Sequence, residues 1–143
     1  MALVSVQTKM IETQLLIDKA REYVGEFPLA NEYASAGYVS AAILSGSGNI
    51  YTGICIDVSS GIGFCAEHSA IAEMLKHRET VIKMVVAVSQ EGISPPCGRC
   101  REFMLLLNKE NANTQVVIGE DLIKPLKELL PYHWTDREFQ ESS

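Results

Sequence analysis

Apolar positions recur along this chain in two periods, and each period predicts a different element. From Thr8 to about Val24, Met10, Ile11, Leu15, Leu16, Ala20 and Tyr23/Val24 repeat every three or four residues, which places them on one broad side of a helix. Gly25 and Pro28 stop it. Tyr38–Leu44 and Ile50–Asp57 are β-prone runs on either side of Ser45-Gly46-Ser47-Gly48-Asn49, the pattern of an antiparallel hairpin. Val81–Ser89 is almost continuously apolar, as expected of a strand buried on both faces, and Thr114–Ile118 is a second such strand. Leu122–Leu130 reads as a short helix interrupted by Pro125. Beyond Pro131-Tyr132-His133-Trp134 the tail is charged and is expected to fray.

Two further helices open on cysteines. Cys65 heads Ser69-Ala70-Ile71-Ala72-Glu73-Met74-Leu75, and Cys97 heads Arg101-Glu102-Phe103-Met104-Leu105-Leu106-Leu107. Both runs have helical spacing of their apolar residues. Pro95 and Pro96 suit a loop or first turn and nothing deeper. Strand, helix, strand, helix, strand implies a βαβ arrangement, in which both cysteines stand at the carboxyl ends of strands. Val58–Phe64, rich in Ser and Gly, is the loop that leads into Cys65.

At 143 residues the chain is long enough for one well-filled domain spanning positions 1–143. Hydrophobic content of 47% with 21% charged residues describes a globular protein. No apolar run approaches transmembrane length, and Met1–Lys9 lacks a signal-peptide pattern, so a cytoplasmic location is expected and no membrane partner. In that compartment four cysteines read as metal ligands or free thiols before disulfides. Net charge is −6 with scattered basic residues, which argues against a positive groove for a nucleic-acid polymer.

Cys97 and Cys100 stand three residues apart on one helix start, close enough to hold one ion, and the positive end of a helix favours a thiolate. With Cys65 beside them, three thiolates bind zinc (soft ligands select it) and leave its fourth position open, which separates a catalytic zinc from a structural one. Glu67, two residues after a ligand, points elsewhere on its helix and can take a proton from water at that open position. The competing arrangement is a closed structural site with Cys55 or His68 as fourth ligand. Closed sites usually come as two tight cysteine pairs, whereas Cys55 stands alone in a strand.

Cys65-Ala66-Glu67 together with Pro96-Cys97-Gly98-Arg99-Cys100 resembles the zinc nucleoside and nucleobase deaminases. The three-cysteine form, from about Tyr38 to Trp134, is similar to the small cytidine deaminases and, in its Cys-Gly-Arg-Cys-Arg, Glu-Leu-Leu-Pro and tail tryptophan, to the blasticidin-S deaminases. The resemblance implies an α/β, three-layer fold: a mixed five-stranded sheet with helices on both faces. It also implies a homotetramer whose sites borrow residues from neighbours. It carries over Cys65, Cys97 and Cys100 as metal ligands, Glu67 as the proton carrier, and Ala66, Ser94 and Pro95 as the groups that orient the amine.

Where such deaminases carry an arginine after the glutamate, to offset the thiolates' surplus charge, this chain has His68. It serves either as hydrogen-bond donor to a thiolate or as ligand. Arg101 matches a family arginine and is the other candidate for that compensating charge. The ribose-reading Gly-x-Asn-x-Glu segment corresponds to Gly53-Ile54-Cys55-Ile56-Asp57, so Asp57 keeps an acceptor while Cys55 replaces an amide. The base-stacking phenylalanine falls near Gly37, leaving Tyr132 and Trp134 as candidate aromatic walls. The implied substrate is a cytosine-type nucleoside: cytidine, deoxycytidine, or an analogue such as blasticidin S or an N4-modified nucleoside. A non-catalytic zinc-stabilised module is the rival from another class.

Overall fold

The computed structural model describes residues 2–136. The charged tail beyond Asp136 lies outside the described residues. The first helix, α1 (Ala2–Arg21), is followed by β1 (Phe27–Pro28), β2 (Ala34–Ser45) and β3 (Ile50–Val58), then α2 (Ala66–Lys76), β4 (Ile82–Ser89) and β5 (Gly92–Ile93). The chain continues through α3 (Gly98–Leu107), β6 (Gln115–Gly119), β7 (Leu122–Pro125) and α4 (Leu126–Leu129).

Five of the strands form the mixed sheet in the order β3-β2-β4-β6-β7, with the dipeptide strands β1 and β5 added to β2 and β4. The β2–β3 hairpin is antiparallel, with Ile43 opposite Tyr51, and β2 is also antiparallel to β4, with Ile43 opposite Val85. Both neighbours of β2 therefore run the same way. β4 and β6 are parallel, with Val85 opposite Val116. Helices α2 and α3 are the crossovers β3-α2-β4 and β4-α3-β6, so both start at the carboxyl-terminal ends of strands.

Alternation along β2 sorts the core into two layers, as the two-residue strand period requires. Ala42 and Leu44 face α1, where Leu16, Ile17 and Ala20 pack with Met84, Val86, Val88 and Val117. Ile43 faces the other way, into Ala70, Ile71 and Met74 of α2 and Met104 of α3. Helices cover both faces, giving the three layers the sequence motifs imply.

Leu122–Leu130 departs from the helix that its composition predicts. Its first half is β7, antiparallel to β6 with Val117 opposite Ile123, and only Leu126–Leu129 is helical. Glu120-Asp121 turns the chain, and Pro125, with extended backbone, caps the short helix instead of interrupting a longer one. Pairing with an open sheet edge outweighs the weak helical propensity of so short a segment.

Gly53 sets how closely α2 can approach the sheet. A Cβ there would lie 2.4 Å from the Ala70 nitrogen and 2.6 Å from the Ser69 Cβ. Gly53→Ala is expected to push α2 outward and to cost about 1–3 kcal/mol in chemical denaturation, as overpacking typically does. Because α2 carries Glu67, the same variant should lose activity beyond its loss of stability.

At the end of the sheet remote from the helix starts, Glu79 closes the β2–β3 turn. Its carboxylate accepts hydrogen bonds from the Ser47 and Tyr51 hydroxyls and, at 3.0 Å, from the Asn49 amide. Those bonds, led by Ser47, hold the Glu79 carboxyl down from 4.5 to about 2. A depressed folded-state pKa adds stability that is complete above the unfolded value and disappears as pH falls through the folded one. Glu79→Gln is therefore expected to flatten the fall in melting temperature between about pH 4.5 and pH 2, relative to the unaltered protein.

Candidate metal centre and active-site cavity

Cys65 and Cys97 occupy equivalent places, each the extended residue that caps a helix, with backbone ψ of 157° and 170°. The crossovers bring these two helix starts together. The Cys65 and Cys97 sulfurs are 3.6 Å apart, and so are those of Cys97 and Cys100. All three lie within 4.8 Å of one another, and among the described residues no other group of His, Cys, Asp or Glu side chains is so disposed. A tetrahedral zinc with Zn–S bonds of about 2.3 Å has sulfur–sulfur edges of roughly 3.8 Å. The spacing fits that ion.

Cys55 and His68 stand outside this group. The Cys55 sulfur accepts a hydrogen bond from the Val39 amide at 3.2 Å and donates toward Asp57 at 3.7 Å. His68 places Nδ1 3.4 Å from the Cys100 sulfur and stacks its ring on Phe103, with centroids 4.7 Å apart. Burial, and then the Arg99 charge, push the His68 pKa below its usual value. The ring is placed to give the Cys100 sulfur a hydrogen bond.

Glu67 is buried, and its Oε2 accepts from the Cys100 thiol at 3.0 Å. Burial, with the Glu67 carboxylate next, pushes the Cys100 thiol far up. Burial also raises Cys65. At Cys97 burial acts in the same direction, but the amides of Cys100 and Arg99 and the neighbouring thiols outweigh it, and its pKa falls. Three thiols packed together, one of them against a buried carboxylate, form a site whose ionisation calls for a cation, and coordination to a divalent metal would deprotonate the thiols outright.

A cavity of about 380 Å³ opens onto these groups. Cys65, Cys97 and Glu67 line it, with Ala66, Ser94 and Pro95 beside them and Cys55 and Asp57 in the β3 wall. Tyr38 and Phe64 also line it, as does the exposed Arg99. Tyr38 and Phe64 were missed from the sequence. The signals were available: Tyr38 follows the position of the absent phenylalanine, and Phe64 directly precedes Cys65. Phe64 is held by a reciprocal pair of backbone hydrogen bonds with Ile56, at 2.9 and 3.0 Å.

Two expected residues sit elsewhere. Trp134 does not line the cavity; its indole N–H donates to Glu102 at 2.6 Å, on the flank of α3. Tyr132, also proposed as a wall, borders a separate depression beside Leu126 and Leu130. The hydrogen bonds of Arg101 run to the carbonyls of Pro96, at 2.9 Å, and Leu129, at 3.3 Å, rather than to the sulfurs.

No protein-family model matches the chain. The cytidine deaminase of Halalkalibacterium halodurans is 31% identical over 109 residues, covering 72% of this chain and 81% of that protein. The cytidine deaminase of Shewanella woodyi is 32% identical over 136 residues, covering 88% of this chain and 43% of that one. The crystal structure of cytidine deaminase from Mycobacterium tuberculosis superposes with a TM-score of 0.69 at 23% identity, covering 85% of this chain and 95% of that one, and shows the shared fold. The chain belongs to the cytidine deaminase family. It spans about half or less of the length of several curated relatives that it matches.

Proposed function

We propose that this protein is a zinc-dependent deaminase that converts the cytosine-type ring of a free nucleoside to the uracil form, with water consumed and ammonia released. The observation that carries this reading is the buried Glu67 carboxylate, which meets the Cys100 sulfur at 3.0 Å and lines one cavity with Cys65 and Cys97. Cys65, Cys97 and Cys100 would hold the metal. Zinc, when bound, acts as a Lewis acid that makes water acidic near neutral pH.

Glu67 accepts the proton of the attacking water and delivers it to ring N3 as the C4–O bond forms. The same carboxyl then carries the second proton to the departing amine, so that ammonia leaves and the ring keeps the oxygen. Burial keeps bulk water from competing for these transfers. Ser94 and Pro95 on one side and Ala66 on the other border the place of the amine. His68, with its ring against Cys100, is assigned as the donor that steadies a ligand thiolate.

Tyr38 and Phe64 supply the aromatic surface for the ring that Gly37 cannot, and Asp57 accepts from a sugar hydroxyl. The Cys55 thiol, already shared between Val39 and Asp57, orients Asp57 instead of reading the sugar itself. That altered wall favours a second reading, in which the substrate is a modified cytosine nucleoside such as blasticidin S. Ultraviolet assays of cytidine, deoxycytidine and blasticidin S side by side decide between them. Turnover of none of the three would reject the deaminase assignment.

Large apolar side chains are exposed near the cavity mouth, among them Ile62, 73% exposed, and Phe64. They support a homotetramer in which neighbours cover each mouth. Light scattering should give four chains per particle, and a monomer would reject this part of the reading. Among the described residues, no helix is long and apolar enough to cross a membrane.

A further inference from the structure

The loop that delivers Cys97 has an unusual problem. Pro95 and Pro96 have no N–H, so two successive residues cannot be fixed by backbone donation. The Ser94 amide anchors the start of the loop on the Ala87 carbonyl at 2.8 Å, and the Cys97 carbonyl accepts from the Arg101 amide at 3.0 Å. What fixes the stretch between is the Pro96 carbonyl, which accepts from the Arg101 side chain at 2.9 Å. The same guanidinium donates to the Leu129 carbonyl, one of the end carbonyls that α4 leaves without a helical partner.

The next residue repeats the connection. The Glu102 carboxylate accepts from the Trp134 indole at 2.6 Å and from Nε2 of the buried His133. Nδ1 of His133 accepts the Thr135 amide at 3.2 Å, which leaves the ring proton on Nε2, facing Glu102. Consecutive residues beside Cys100 thus hold segment 129–134 against the helix start, and one of them transmits that hold to the residue before Cys97.

We propose that Arg101 and Glu102 are positioning residues for the metal site, which lash segment 129–134 to the first turn of α3 and thereby fix the loop that carries Cys97. The proposal rests on the reading of the three cysteines as metal ligands. It gives Arg101 a geometric role in place of charge compensation: a rigid fork spanning two carbonyls. Lysine keeps the charge but cannot reproduce the fork.

The test is zinc affinity, measured by competition with a chromogenic chelator on the full chain. Arg101→Lys and Glu102→Ala are each expected to weaken zinc binding by about tenfold to a hundredfold, as loss of a partner behind a metal ligand typically does. Glu79→Gln, which opens the remote clip, should bind zinc like the unaltered protein and so controls for plain loss of stability. Hydrogen exchange on the metal-free proteins supplies a readout without zinc: amides of residues 97–101 should exchange faster in Arg101→Lys while α1 is unchanged. Undiminished zinc affinity in Arg101→Lys overturns the proposal. So does an exchange pattern that accelerates everywhere alike. If the unaltered protein takes up no zinc, the metal reading fails on its own, and the exchange of residues 97–101 still decides whether the lashing holds the loop.

Discussion

Glu67→Gln is expected to retain one zinc per chain and to lose activity by about three orders of magnitude or more, within the range that general acid–base catalysis supplies and at its upper end. Glutamine preserves the shape and volume of the side chain beside the Cys100 sulfur, from which Oε2 lies 3.0 Å away. What it cannot do is take a proton from water and give it back twice. Since Glu67 is 4% exposed, solvent has little access to replace it as a carrier. Metal analysis and an ultraviolet assay on the same preparation check both halves of this outcome. Residual activity within tenfold of the unaltered enzyme would mean that another group moves the protons.

Cys100→Ser is expected to empty the metal site. Serine offers a hydroxyl that is not ionised near neutral pH, where a soft, anionic sulfur is needed. Cys100 is the buried member of the trio, so no outside group can slide in to replace it. The loss of affinity should exceed the tenfold to hundredfold typical of disturbing an outer partner, since a ligand itself is removed. Zinc content after desalting should fall well below stoichiometric, and deamination with it. The fold should survive, because Ile71, Met74, Met104 and Val116 pack without help from the sulfurs. Unchanged zinc content would place the metal elsewhere; collapse of the circular dichroism spectrum would make the ion structural.

The βαβ pattern around the two cysteine motifs was readable because it rests on strong local signals: continuous apolar strands, helical spacing and punctuation by Pro and Gly. The hairpin was readable for the same reason. β7 was not, since four residues that pair with a sheet edge are decided by a tertiary partner that composition does not show. Within the site, spacing put Cys97 and Cys100 on one helix start, and the family resemblance implied that Cys65 joins them, as it does. The roles of side chains that reach sideways were not readable. Trp134 was expected as a substrate wall because the stacking phenylalanine is absent, but the carboxylate of Glu102, 32 residues earlier in the chain, takes its N–H. Arg101 looked like a counter-charge because it is a cation next to a ligand, and its hydrogen bonds are decided by two carbonyls that only the fold brings near. Tyr38 and Phe64 needed the bend of β2 and the loop before α2 to be seen facing one space.

The long β2–β3 hairpin keeps the Ser45–Asn49 turn at one pole of the molecule and the sulfur trio at the other. A cut or a fused label at Gly48, whose backbone has open space around it, would disturb the clip at Glu79 and leave the chemistry untouched. An insertion of equal length between Ser89 and Cys97 would carry the Cys97 sulfur away from the other two. Permuted or tethered forms of this protein should therefore be built from the glycine pole.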